Sequence, residues 1–286
     1  MKQISANVYA DDQHSVPPRY RGSNPSYVTT SDGIVLIDTP MMPTDAVRWQ
    51  KDLAKKGTVR YIINTHHHLD HISGNVFFPG ATVIAHAGAM EKYGSEARPG
   101  IPAISLLRKS VEQHDPEGVA LLKEDQFPPP SITFTDRLYL YVGKHTFELI
   151  HMPGHTPSHI GVYIPQEKVF FAGDNFTYQT QPSFGHSVPQ AWVKSLKQVE
   201  EMDIDTIVPG HGEICGKAEV KEFRKFVETC IKMVKDAMKR GLTKEQAAKE
   251  LSFEKLYPKN PDASAVHPGP DQQRFNVERL YDMLAP

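Results

Sequence analysis

Short apolar runs alternate with amphipathic stretches along most of this chain. Val59-Arg-Tyr-Ile-Ile-Asn64 and Ile34-Val-Leu-Ile-Asp38 are brief and rich in β-branched residues, the pattern of buried strands. Ser26-Tyr-Val-Thr-Thr30 precedes the second of these across Ser31-Asp-Gly33, a hairpin turn signal. Thr44 is expected to cap a helix that carries Trp49 and Leu53 on its apolar side. Residues 82–85 read as a further strand, with a helix over about 86–93. The second half repeats the alternation. Leu138-Tyr-Leu-Tyr-Val142 and Thr146-Phe-Glu-Leu-Ile150 flank Gly143-Lys-His145, and residues 160–164 and 168–172 form another strand pair. A helix over about 190–202 then leads to the strand Thr206-Ile-Val208.

Toward the C-terminus, Val220, Phe223, Val227, Cys230, Val234 and Met238 recur at helical spacing and mark one buried face. The lysines and arginines between them alternate with Glu219, Glu222, Glu228 and Asp236, a solvated face rather than a nucleic-acid patch. Between about 94 and 130 the character changes. Arg98-Pro-Gly-Ile-Pro102 and Phe127-Pro-Pro-Pro130 bracket an amphipathic stretch over 104–122, expected to be a lid-like insert. Two successions of strands followed by helices predict an α/β protein, a four-layer αββα sandwich with the sheets innermost. The expected organisation is one domain over 1–286, with the insert at about 94–130 and a helical extension at about 217–286.

Composition narrows the classes. The 286 residues are 39% apolar and 23% charged with a net charge of −2, an ordinary globular balance with no general attraction for nucleic acid or anionic membrane. No run approaches the ~18 apolar residues of a membrane span, and residues 1–10 lack the apolar core of a signal peptide. Cys215 and Cys230 cannot form a disulfide framework for a chain this long, so a cytoplasmic, reduced setting is expected. The sequence sets no oligomeric state and is compatible with a homodimer.

The densest chemistry is His66-His67-His68-Leu69-Asp70-His71, an H-x-H-x-D-H pattern that this composition would produce by chance about 0.002 times per chain. It follows the predicted strand 59–64, at the carboxyl end where layered α/β proteins place their sites. His155 in Pro153-Gly-His-Thr156, Asp174 in Phe171-Ala-Gly-Asp174 and His211 in Pro209-Gly-His-Gly212 share that context. Imidazoles and carboxylates suit a borderline cation such as Zn²⁺, and seven of them exceed what one tetrahedral ion uses.

The four motifs, in this order, make the chain similar to the metallo-β-lactamase-fold hydrolase superfamily over about 27–211. The resemblance implies one metal held by His66, His68 and His155, a second held by Asp70, His71 and His211, and Asp174 bridging the two. It implies two Zn²⁺, with iron or manganese as alternatives, and a metal-bridging hydroxide that attacks a carbonyl without a Ser or Cys nucleophile. Asp70 is the carboxylate expected to orient that nucleophile or carry a proton. Tyr178 resembles the phenol that assists carbonyl binding in some lactonases of the superfamily. His67 is expected to pack away from the ligands, His159 to support them from behind, and Cys215 to be inert.

The bridging carboxylate sets the chain apart from true β-lactamases and closer to lactonases and glyoxalase II-type thioesterases. The expected activity is hydrolysis of a small carbonyl substrate, an ester or lactone, with a thioesterase or β-lactam hydrolase as alternatives. Neither nucleic acid nor membrane is expected as a partner. A one-iron persulfide dioxygenase would need fewer ligands than the seven present. The alternative outside catalysis is a binding module that metal merely stabilises, although structural zinc sites favour Cys and close all four positions.

Overall fold

The computed structural model describes residues 1–12, 21–94, 96–98, 101–256 and 272–285. Parts of the expected insert (95, 99 and 100) and of the C-terminal extension (257–271 and 286) lie outside the described residues.

The first half begins with strands β1 (Lys2–Gln3), β2 (Val8–Ala10), β3 (Ser26–Thr30) and β4 (Gly33–Ile37), each antiparallel to the next. Helix α1 (Pro43–Ala54) crosses to β5 (Val59–Ile63), and helix α2 (Leu69–Ile72) precedes β6 (Thr82–His86). After the small hairpin β7 (Glu96–Arg98) and β8 (Ile101–Pro102) come helix α3 (Ala103–His114) and strand β9 (Ile132–Phe134). The strands other than β7 and β8 form one sheet in the order β1-β2-β3-β4-β5-β6-β9, parallel from β4 onward. The second sheet holds β10 (Arg137–Val142), β11 (His145–His151), β12 (Ile160–Ile164), β13 (Val169–Thr177) and β14 (Thr206–His211) in chain order. Only β13 and β14 are parallel, because helix α4 (Pro189–Glu201) joins them as a crossover. Helices α5 (Lys217–Lys239), α6 (Lys244–Glu250) and α7 (Gln272–Leu284) complete the described chain.

Three apolar layers hold this arrangement. Val35, Ile37, Ile63 and Ile84 of the first sheet meet Phe147, Leu149, Val162 and Phe171 of the second. Outside the first sheet, Leu36 and Ile62 are covered by Trp49 and Leu53 of α1. Outside the second, Phe170 and Ile207 are covered by Trp192 of α4 and by Val220, Phe223, Val227, Cys230 and Val234 of α5. Helix, sheet, sheet, helix is therefore the layer order, as expected.

Several local expectations change. The stretch 86–93 is a strand end followed by a 3-10 turn over Ala87–Lys92, not a helix. Strand β13 runs on to Thr177, so Asp174 lies inside a strand rather than after one. Thr44 does not cap α1. The cap position is Met42, Pro43 opens the helix, and the orphan donors of its first turn are met from far away. Asp115 accepts the Thr44 N–H at 3.0 Å and its hydroxyl at 2.7 Å. The amphipathic stretch is broken at the same residue, with α3 ending at His114 and a 3-10 turn over Pro116–Leu121 following.

That stretch is anchored rather than suspended. Leu107 and Val111 pack with Met41 and Met42, Gln126 donates to Ser73 O at 2.6 Å, and Arg21 joins Asp45 while donating to His114 O at 3.0 Å. Asp115→Ala would leave two donors on Thr44 unmet, a loss of about 1–3 kcal/mol. Thermal unfolding should fall by about 2–4 °C per kcal/mol. An unchanged midpoint would show that the 103–121 segment is not held through this carboxylate.

Candidate metal centre

Strand β5 ends at Ile63, and the chain turns through Asn64 and Thr65 into the histidine run. Asp70 and His71 sit on α2, whose cap position is His68 in extended conformation. His155 follows β11, Asp174 projects from β13, and His211 ends β14. Carboxyl-terminal ends of strands from both sheets thus converge, and all seven expected residues come together in two groups. His66, His68, His155 and Asp174 present ligand atoms within 4.8 Å of one another, and so do Asp70, His71, Asp174 and His211.

Asp174 belongs to both groups through different oxygens. Its Oδ2 lies 3.5 Å from His155 Nε2 and 3.9 Å from His66 Nε2. Its Oδ1 lies 3.1 Å from His71 Nε2 and 3.4 Å from His211 Nε2. Asp70 Oδ2 completes the second group, 3.1 Å from His211 Nε2 and 3.6 Å from His71 Nε2. His68 turns Nδ1 toward His155 Nε2 at 3.1 Å.

Burial and neighbouring imidazoles push the pKa of His66 and His68 well below the usual value, leaving neutral rings with free lone pairs. In the second group burial opposes protonation, but the carboxylates overcome it. Asp174, Asp38 and Asp70 hold His71 well above its usual value, and Asp174 followed by Asp70 raises His211 to about 9. Burial works against an ionised Asp174, yet His211 and His71 keep its carboxyl well below the ordinary range. The carboxylates that favour positive charge on these rings would favour a bound cation in the same place.

A cation fits this donor set. His66 Nε2 is buried and makes no hydrogen bond, an arrangement costly unless something else occupies its lone pair. The glycines of the motifs make room for it. A Cβ on Gly210 would stand 2.0 Å from Asp174 Oδ1. Gly173 adopts a φ of +47°, and a Cβ there would meet His159 Nε2 at 2.6 Å and Thr65 Oγ1 at 2.7 Å.

Supporting residues come partly as expected. The buried His159 stacks on His66 with ring centroids 5.1 Å apart, and its Nε2 accepts the Asn175 N–H at 3.3 Å. His67 lies outside both ligand groups and packs beside His68, 4.9 Å between centroids. Burial pushes the Cys215 thiol far up, so it stays protonated and unreactive. Tyr178 donates its backbone N–H to His211 O at 2.9 Å, but its ring lies against Phe176, 6.2 Å between centroids. Among the described residues no hydrogen bond links its phenol to either group.

Three supports escaped the sequence reading. Asp38 accepts from Thr65 N–H at 2.8 Å and Thr65 Oγ1 at 2.7 Å, and pairs with His71 Nδ1 at 2.7 Å. It does so from a left-handed backbone, φ 55°, which an aspartate tolerates better than most residues. A signal existed, since Asp38 stands at the carboxyl end of a predicted strand as the ligands do. Asn175 accepts the His155 N–H at 2.8 Å and donates to Met152 O at 2.6 Å. His186 Nδ1 lies 2.9 Å from His68 Nε2, a contact across 118 positions that no local pattern announces.

Residues 19–211 match the Metallo-beta-lactamase superfamily, and the chain belongs to that family. It is 23% identical over 269 residues to a linear primary-alkylsulfatase of a Pseudomonas species, covering 79% of this chain and 49% of that protein. A hydroxyacylglutathione hydrolase of Brucella anthropi is 25% identical over 194 residues, covering 68% of this chain and 59% of that one. The chain thus spans about half to three-fifths of the length of these relatives. Among solved structures, the inverting sec-alkylsulfatase Pisa1 from Pseudomonas superposes with a TM-score of 0.71 at 17% identity. That match covers 99% of this chain and 49% of the other, so the shared fold includes the C-terminal helices as well as the sandwich. This Metallo-beta-lactamase superfamily chain carries two adjoining His/Asp groups that could hold metal.

Proposed function

We propose that this protein is a dinuclear metal hydrolase of small esters or lactones. The observation that carries the proposal is Asp174, whose two oxygens face two separate buried ligand groups. His66, His68 and His155 would hold one divalent cation, and Asp70, His71 and His211 the other. Such a pair, zinc or else iron or manganese, supplies Lewis acidity and a water acidified to near neutrality. Asp70, whose Oδ2 lies 3.6 Å from His71 Nε2 and 3.1 Å from His211 Nε2, would orient a water and carry its proton to the alkoxide leaving group. Water adds to the carbonyl carbon and the acyl C–O bond breaks, giving acid and alcohol from an ester or a single hydroxy acid from a lactone. Tyr178 would assist only by turning its phenol from Phe176 to the carbonyl oxygen. The substrate is a small molecule, neither nucleic acid nor membrane. No helix among the described residues is long and apolar enough to cross a membrane.

A second reading, hydrolysis of a sulfate ester, is favoured by the alkylsulfatase likeness that extends over nearly the whole chain. The two readings share the metal groups and differ in the atom attacked. A panel of lactones, a carboxylic ester, an acyl thioester, an alkyl sulfate and a cephalosporin, compared by kcat/KM on zinc-loaded protein, separates them. The highest value is expected for a lactone or ester, with Tyr178→Phe lowering it. An alkyl sulfate preferred over all others would move the assignment to the second reading, and a preferred β-lactam would overturn both.

A further inference from the structure

Behind the first ligand group lies a contact that the hydrolytic scheme does not use. His68 turns Nδ1 toward His155, so the nitrogen left for a partner is Nε2, and that atom is 2.9 Å from His186 Nδ1. His186 belongs to the segment between β13 and α4, far from every motif. It comes to this place because helix α7 grips the segment. Asn276 accepts the Phe184 N–H at 3.0 Å and donates to Pro182 O at 3.0 Å, while Arg279 donates to Gly185 O at 3.2 Å. From the other side, Val188 N–H donates to Gly154 O at 2.7 Å, tying the same segment to the loop of His155.

We propose that His186 is a positioning residue for His68, and that α7 is the clamp that holds it there; the inference rests on the metal-centre reading above. A neutral imidazole that gives Nδ1 to a cation keeps its proton on Nε2. That N–H donates to the lone pair on His186 Nδ1, which fixes the ring's rotation about χ2 and makes His68 a stronger donor at Nδ1. His71 has the equivalent support from Asp38, so each ligand group has one imidazole oriented from behind. His67 flanks the pair, with ring centroids 4.9 Å from His68 and 5.8 Å from His186, and limits sideways movement of either ring. The role also gives the C-terminal helix a connection to the chemistry: it acts on the site through one hydrogen bond, some 90 positions away in sequence from the helix that supports it.

His67, His68 and His186 also bring ligand atoms within 4.8 Å of one another, so a third ion is the competing explanation. The 2.9 Å separation of His68 Nε2 and His186 Nδ1 is the length of a hydrogen bond and favours the positioning role.

Zinc affinity of the full chain, measured by competition with a chromophoric chelator, tests this without reference to turnover. Wild type should bind two ions. In His186→Ala one of the two affinities should fall about 10- to 100-fold, as for other residues behind a ligand, while the other stays unchanged. His186→Asn, which keeps an acceptor oxygen near the Nδ1 position, should recover most of the loss. Asn276→Ala, which loosens the segment, should give an intermediate one. The cobalt-substituted form should show altered ligand-field bands in His186→Ala only. Equal affinities in wild type and His186→Ala, or a lower unfolding temperature of the chelated protein with affinity unchanged, would overturn the positioning role while leaving the metal centre intact. Three ions in wild type and two in His186→Ala would replace it with a ligand role. No ions in wild type would overturn the metal-centre reading and this inference with it.

Discussion

Asp174→Ala is expected to remove both metal ions and reduce hydrolysis by well over ~10²-fold, because residues merely behind a ligand already cost 10- to 100-fold. The carboxylate faces both groups, with Oδ2 3.5 Å from His155 Nε2 and Oδ1 3.1 Å from His71 Nε2. Losing it leaves three imidazoles in one group and deprives the other of a shared anion. Two cations placed this close repel each other, and a carboxylate between them offsets that repulsion. A substitution elsewhere in the set would empty one group, whereas this one should empty both. The measurement is metal content per chain after exhaustive dialysis, with kcat/KM alongside. Two ions retained at wild-type affinity would show that Asp174 is not the bridge.

The second large effect is expected at Asp38, which belongs to neither ligand group but contacts His71 from behind. Its buried carboxylate accepts from Thr65 twice and pairs with His71 Nδ1, so three polar groups lose a partner together in Asp38→Ala. Breaking a buried charged pair costs about 3–5 kcal/mol. A second loss of 10- to 100-fold in metal affinity should follow from a His71 ring free to rotate. Denaturant unfolding of the chelated protein reads the first effect, and chelator competition reads the second. Asp38→Asn keeps the shape and an acceptor, so it should recover much of the stability and less of the affinity. Wild-type unfolding and affinity in Asp38→Ala would show that Thr65 and His71 are held by packing alone. The left-handed backbone at Asp38 agrees with a role in orientation, since strain of that kind persists where surrounding contacts require it.

The layers of the sandwich were readable because each strand and helix shows its buried face in the chain. Ile34–Ile37 and the spacing of Val220, Phe223, Val227 and Cys230 report burial directly, since apolar positions repeat at the period of the element that buries them. The candidate ligands were readable for a different reason. Four of them lie within six residues, and the others sit beside glycines that a close approach demands, as at Gly210 against Asp174. Local chemistry leaves a local trace.

Other features left none. Strands β1, β2 and β9 are short, and β9 is recognisable only from its pairing with β6. The first turn of α1 is satisfied by Asp115, a residue 71 positions beyond Thr44, so the nearby threonine was a reasonable but wrong cap. The amphipathic stretch 104–122 shows that one face is covered without showing by what; the structure covers it with Met41 and Met42.

By itself the sequence determined the alternation of strands and helices, the two-sheet sandwich and the identity of the seven clustered His and Asp residues. The elements are specified by apolar residues at the period of a strand or a helix, and the seven residues by motifs whose order resembles that of a known family. Tertiary structure alone decided which oxygen of Asp174 faces which group, that Asp38 stands behind His71, and that a C-terminal helix delivers His186 to His68. Hydrogen bonds depend on orientation to within a few tenths of an ångström and a few tens of degrees. That orientation is set by the packing of distant elements, and no periodicity in the chain records it.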